Sequence, residues 1–95
     1  MKYLKLFKEN FTKANCVEIN DTGDLAYHIE DVYPNIRNLV HGTADTAMEY
    51  VTPKVAWEQA CYSFYETLLE DEKEGYIKLS LSEEEVLKWI SEYCS

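Results

Sequence analysis

Two histidines, three cysteines and eighteen carboxylates are the groups in this 95-residue sequence whose chemistry could be put to work. His28 and His41 each lie near an acid, Glu30 and Asp31 for the first and Asp45 for the second. A metal centre needs several donors on one face, and no His-x-x-x-His or His-x-x-Glu spacing brings two donors onto one helical face here. Pro34 also separates the two imidazoles, so they read as surface or half-buried histidines. Cys61 and Ser63 could act as nucleophiles only with a base in hydrogen-bond reach, and the sequence supplies no sign of one. Cys61 reads instead as a small buried hydrophobe. Cys16, Cys61 and Cys94 are odd in number and widely spaced, which supports neither a disulfide framework nor a zinc knuckle. Carboxylates could serve general acid–base catalysis only if something desolvated one of them, and most fall on charged helix faces where water keeps them ionised. The three glycines are isolated, so no phosphate loop exists. The expectation is a protein without catalytic activity, metal or cofactor.

The carboxylates matter more for how they are spaced. From Thr52 to Glu74 the chain reads as one helix of about six turns, with a capping threonine, Pro53 in the first turn and Gly75 just past the end. Trp57, Ala60, Cys61, Phe64 and Leu68 recur at steps of three or four and mark its core side. On the other side Glu58, Tyr62, Glu66 and Glu70 follow one another at steps of four, roughly 6 Å apart along the axis. Asp71, Glu72 and Glu74 extend the charge beyond Leu69.

Shorter elements must pack around this helix. Residues 3 to 11 place Tyr3, Leu4, Phe7 and Phe11 at helical spacing, with lysines largely opposite. Val17 and Ile19 alternate in a connector or edge strand. Asp21, Thr22 and Asp24 open a helix that buries Leu25, Ile29 and Val32 and exposes Asp24, Glu30 and Asp31. Pro34 predicts a break near Tyr33, then a short helix carrying Ile36, Leu39 and Val40. Gly42 and Thr43 are expected to end that piece, and Ala44 to Val51 to form another with Ala47, Met48 and Val51 inward and Asp45 and Glu49 outward. Residues 75 to 79 read as a connector or as a strand pairing with residues 16 to 19. Ser82 and Glu85 form a capping box before a helix with the apolar stripe Val86, Leu87, Ile90 and Tyr93. The expected fold is mainly α: a single-domain bundle of four to five helices around one long central helix, with a minor β pairing.

Charge is divided unequally along the chain. Residues 1 to 13 carry Lys2, Lys5, Lys8 and Lys13 against Glu9, a net of +3, so the remainder carries −12 of the total of −9. Such a body is repelled by nucleic acid and anionic membrane and attracted to a basic protein surface. With thirteen aromatics it is too rich in them for a disordered acidic tail. No apolar run approaches bilayer length and no signal-peptide block opens the chain, so a cytoplasmic protein is expected. Either the acids are ordinary solvated faces, or Asp24, Glu30, Asp31, Asp45, Glu49, Glu58, Glu66, Glu70 and Asp71 form one negative surface that imitates phosphates. In the second case Tyr62, Tyr65 and Tyr50 could add stacking contacts.

Three fragments bear on that choice. They are Ile19-x-Asp21-Thr22-x-Asp24-Leu25-x-x-x-Ile29, then His41-x-x-Ala44-Asp45-x-Ala47, and then Trp57-Glu58-Gln59 followed by Phe64-Tyr65-Glu66. In content and order they resemble pieces of the phage-encoded Ocr-type antirestriction proteins, small acidic helical mimics of B-form DNA. The resemblance implies a helical homodimer whose carboxylates occupy the DNA channel of a restriction–modification enzyme or another defence complex, with Asp21, Asp24, Asp45, Glu58 and Glu66 standing in for phosphates. Other small acidic phage inhibitors, including anti-CRISPR proteins, share the composition. Two readings from other classes stay open: an immunity protein or antitoxin that neutralises a cationic toxin, and an acidic adaptor between proteins.

Overall fold

The computed structural model describes residues 16 to 95, and the helix expected over residues 3 to 11 lies outside them. The elements run β1 (Val17–Ile19), α1 (Thr22–Val32), α2 (Ile36–Ala47), α3 (Pro53–Lys73), β2 (Ile77–Leu79) and α4 (Glu83–Cys94). The fold is therefore a small helical domain with a minor β pairing. Its strands are parallel, with Val17, Glu18 and Ile19 opposite Ile77, Lys78 and Leu79. Parallel strands cannot be joined by a tight hairpin, and here α1, α2 and α3 all lie in the crossover between them.

The long helix starts and stops where its end residues require. The Thr52 hydroxyl accepts from the Val55 amide, and Pro53 occupies the first turn, where its missing N–H costs nothing. At the other end Gly75 adopts a left-handed φ of 89°. There its amide bonds the Glu72 carbonyl while the Tyr76 amide bonds that of Asp71, both at 3.0 Å. This is a Schellman closure, which turns the chain out of α3 toward β2. Ala56, Ala60, Phe64 and Leu68 of α3 are buried in one core with Ile36 and Val40 of α2, Val86 and Ile90 of α4, and Leu25 and Ile29 of α1.

The last helix is held at both ends. The Ser82 hydroxyl accepts from the Glu85 amide, and the Glu85 carboxylate accepts from the Ser82 amide at 3.0 Å, completing the expected capping box. Its C-terminal turn contains no basic residue. Two side chains of α2 supply donors instead: Arg37 Nε bonds the Tyr93 carbonyl at 3.1 Å, and His41 Nε2 donates to the Cys94 carbonyl at 2.7 Å. Arg37 also lies 4.8 Å from the centre of the Tyr93 ring, which stacks on Trp89. Favourable donors at a helix C-terminus have thus been provided across the tertiary fold.

Residues 36 to 51 depart from expectation. One helix runs through Gly42 to Ala47, and residues 48 to 51 form turns in place of a further helix. Ile36, Val40 and Ala44 are buried at steps of four, so a single apolar stripe crosses the glycine and keeps both halves against α3. Tertiary burial outweighs the local cost of a mid-helix glycine, which is about 1 kcal/mol. Met48, expected inward, is exposed, as is Leu39. A Cβ added at Gly42 would meet nothing within 4 Å. Gly42→Ala is therefore expected to stabilise the fold by about 0.5–1 kcal/mol, seen as a higher urea midpoint. An unchanged or lower midpoint would show that the glycine has a role in the native state.

Candidate functional site

Of the acids singled out by sequence, Asp71 does not belong on a binding surface. Its residue is 0% exposed, and the Tyr33 hydroxyl donates to its Oδ2 in a short hydrogen bond. The steps of four that carry Glu58, Glu66 and Glu70 around the outside of α3 put the next residue, Asp71, back on the Phe64 and Leu68 side. A carboxyl there needs partners inside the protein, and Tyr33, whose ring packs edge-on against Phe64 at 5.1 Å, supplies one. Glu72 is also drawn in, accepting from the Leu79 amide at 3.0 Å and so tying α3 to β2. Tyr65 is buried as well and cannot offer a stacking face. Burial, then the nearby Glu83, Tyr62 and Glu72, raise the pKa of its hydroxyl.

The remaining acids form three groups. Asp21 and Asp24 sit at the start of α1 and serve the backbone: Asp21 Oδ1 accepts from the Asp24 amide at 2.8 Å, and Asp24 Oδ2 accepts from the Asn20 amide at 3.1 Å. Further along α1, Glu30 and Asp31 are exposed one turn before Tyr33. Asp45 and Glu49 are exposed beside the turn that leads into α3. Asp21 and Asp24 flank β1, whose partner β2 follows the far end of α3. These two pairs therefore lie toward opposite ends of α3, whose 21 residues span about 30 Å. The structure gathers only Glu58, Tyr62, Glu66 and Glu70 on one face.

On that face every member is exposed. The carboxylates of Glu58, Glu66 and Glu70 take part in no hydrogen bond or ion pair with another described residue. Between them lies something that sequence reasoning passed over: Val55, Tyr62 and Leu69 are 38%, 41% and 37% exposed. They recur at steps of seven, which keeps them in line along a helix with only about 20° of drift per step. The signal is present in the sequence, but the stronger stripe through Phe64 and Leu68 accounts for the apolar content of α3. Leu87 of α4 stands beside the outer stripe, and Val55, Glu58, Gln59, Tyr62, Ser63 and Leu87 line an open groove of about 710 Å³.

Of the remaining groups with potential chemistry, Cys61, Cys94 and His28 are enclosed. Burial pushes the Cys61 thiol up to about 11, with a smaller contribution from Cys94, and also raises the Cys94 thiol against the opposing influence of Arg37. Neither is poised as a thiolate nucleophile. His28, expected near the surface, is buried, and its Nε2 has no partner among the described residues. Desolvation lowers its pKa from the ordinary 6.5, outweighing the nearby Asp71 and Asp31. The unfolded chain thus binds a proton that the folded chain excludes, so this group's contribution is complete above the unfolded pKa and is lost as pH falls. Unfolding free energy is expected to drop as pH falls below about 6.5. The drop should flatten in His28→Phe, and an equal slope in wild type and variant would assign it to other groups. Among the described residues no group of three potential ligands could hold a metal ion, and no helix is long and apolar enough to cross a membrane.

Fold and surface together define a small helical protein whose longest helix carries an exposed acidic face without an ion-pair partner among the described residues. The chain matches no protein-family model, and comparisons with curated proteins and with solved structures find no match.

Proposed function

We propose that the protein is a non-enzymatic inhibitor of a nucleic-acid-binding defence enzyme, of the restriction–modification or CRISPR type. It would occupy the basic groove that otherwise holds phosphates. The observation that carries this reading is the row Glu58, Glu66 and Glu70, exposed on one helix with no basic partner among the described residues. Ordinary solvated acids are commonly interspersed with bases, whereas residues 14 to 95 carry five bases against seventeen acids. A field of that sign accelerates encounter with a basic groove and makes association sensitive to salt. The likeness of Asp21, Asp24, Asp45, Glu58 and Glu66 to phosphate-mimicking positions of Ocr-type proteins points the same way, and it implies a dimer. The mechanism is competition. Added to a purified restriction–modification or CRISPR nuclease complex, the protein should displace duplex DNA, and excess duplex should relieve the inhibition. Binding that leaves the enzyme's hold on DNA unchanged would reject mimicry.

A second reading, an immunity protein or antitoxin, is favoured by Tyr27 and Tyr50, which are 77% and 83% exposed and suited to anchoring a defined partner. Neutralisation of a toxin encoded beside the protein, without effect on DNA-bound complexes, would select it.

A further inference from the structure

Charge on α3 alone is too sparse to replace a duplex. From Glu58 to Glu70 the helix rises about 18 Å, a length over which duplex DNA holds on the order of ten phosphates. Three carboxylates over that length leave most of the binding energy to be found elsewhere, and the outer apolar stripe is placed to provide it. Val55, Tyr62 and Leu69 run along the centre of the acidic face, with Glu58 on one side and Glu66 and Glu70 on the other. Leu87 walls the groove on the Glu58 side.

We infer that this face docks an amphipathic helix of the partner whose apolar stripe is flanked by lysine or arginine. The pattern on α3 is one half of a helix pair: a central line at a seven-residue repeat meets the partner's apolar side chains, and charges on both flanks select the partner's charge. Tyr62, midway along the stripe and beside Leu87, is the anchor. A second copy of this chain is the wrong occupant, because pairing two such faces would set the carboxylates of one copy against those of the other. Lys73, one turn beyond Leu69, marks where the acidic flank ends. The inference rests on the proposed inhibitory role only for the partner's identity, and it specifies which part of the surface is recognised.

The test uses two synthetic helical peptides of about fourteen residues with equal positive charge. One carries leucine along its apolar stripe, and the other carries glutamine there. Binding to the full-length protein is followed by fluorescence anisotropy at low and high salt. The leucine peptide should bind more tightly and retain binding at high salt. Tyr62→Ala should weaken it about tenfold, while Leu39→Ala, at an exposed apolar residue on α2, should leave it unchanged. Both substitutions are at exposed positions, and circular dichroism of each variant checks that the fold is retained. Equal affinity for the two peptides, or no effect of Tyr62→Ala, would overturn the inference. So would a wild-type dimer that Tyr62→Ala converts to monomer. The two proposals fail separately. Enzyme inhibition that survives Tyr62→Ala removes the docking helix and leaves charge mimicry, and peptide docking without any enzyme inhibition does the reverse.

Discussion

Lysine in place of Glu58, Glu66 and Glu70 together is expected to abolish the proposed inhibition of a defence enzyme while leaving the helical content of the protein unchanged. Each carboxylate that meets a basic group in a complex contributes on the order of 1.5 kcal/mol or more. Losing three contacts therefore weakens binding by roughly a thousandfold, and the introduced lysines add repulsion. Folding should tolerate the change because the three side chains are exposed and outside the core, and lysine is as good a helix former as glutamate. The measurements are inhibition of DNA binding or cleavage at fixed salt, with circular dichroism as the control. Full inhibition by a variant of normal helicity would reject this face as the binding site.

The second large effect is on stability and falls on the neighbouring acid. Asp71→Ala is expected to destabilise the protein by about 2–4 kcal/mol, since it removes the buried carboxylate to which the Tyr33 hydroxyl donates and opens space in the core. Glu70→Ala, one residue earlier and exposed, should change stability by no more than about 0.5 kcal/mol. Tyr33→Phe is expected to cost about 1–3 kcal/mol, because it withdraws a donor from a buried carboxyl. Urea denaturation of the three variants compares them directly. Partner affinity of folded Asp71→Ala should equal that of the wild type. A variant of normal stability and weakened binding would return Asp71 to the interface.

These neighbours show how far a one-dimensional pattern reaches. Successive residues of an α-helix are turned by about 100°, so an acid adjacent in sequence to an exposed row can face the core. The row from Glu58 to Glu70 stays in water, whereas Asp71 lies under Tyr33, a residue 38 positions away. Glu70 and Asp71 differ in register: Asp71 follows Leu68 by three residues and Phe64 by seven, on the buried stripe, and only the tertiary structure shows that Tyr33 partners it there. Gly42 makes a related point: it is a credible stop signal, but the stripe of Ile36, Val40 and Ala44 gives both sides of it the same surface to cover.

The sequence alone determined the elements whose causes are local. The starts of α3 and α4 follow from side chains three residues or fewer from the amides they cap, the end of α3 follows from Gly75, and the excess of acid is a matter of composition. The pairing of residues 17 to 19 with 77 to 79 was legible as an option from their alternation, although its parallel direction was not. Only the tertiary structure decided which acids face water, that Arg37 and His41 close the end of α4, that His28 is buried, and that Val55, Tyr62 and Leu69 remain uncovered beside Leu87. Each of these depends on which distant segment lies against a residue, and helical periodicity carries no information about that neighbour.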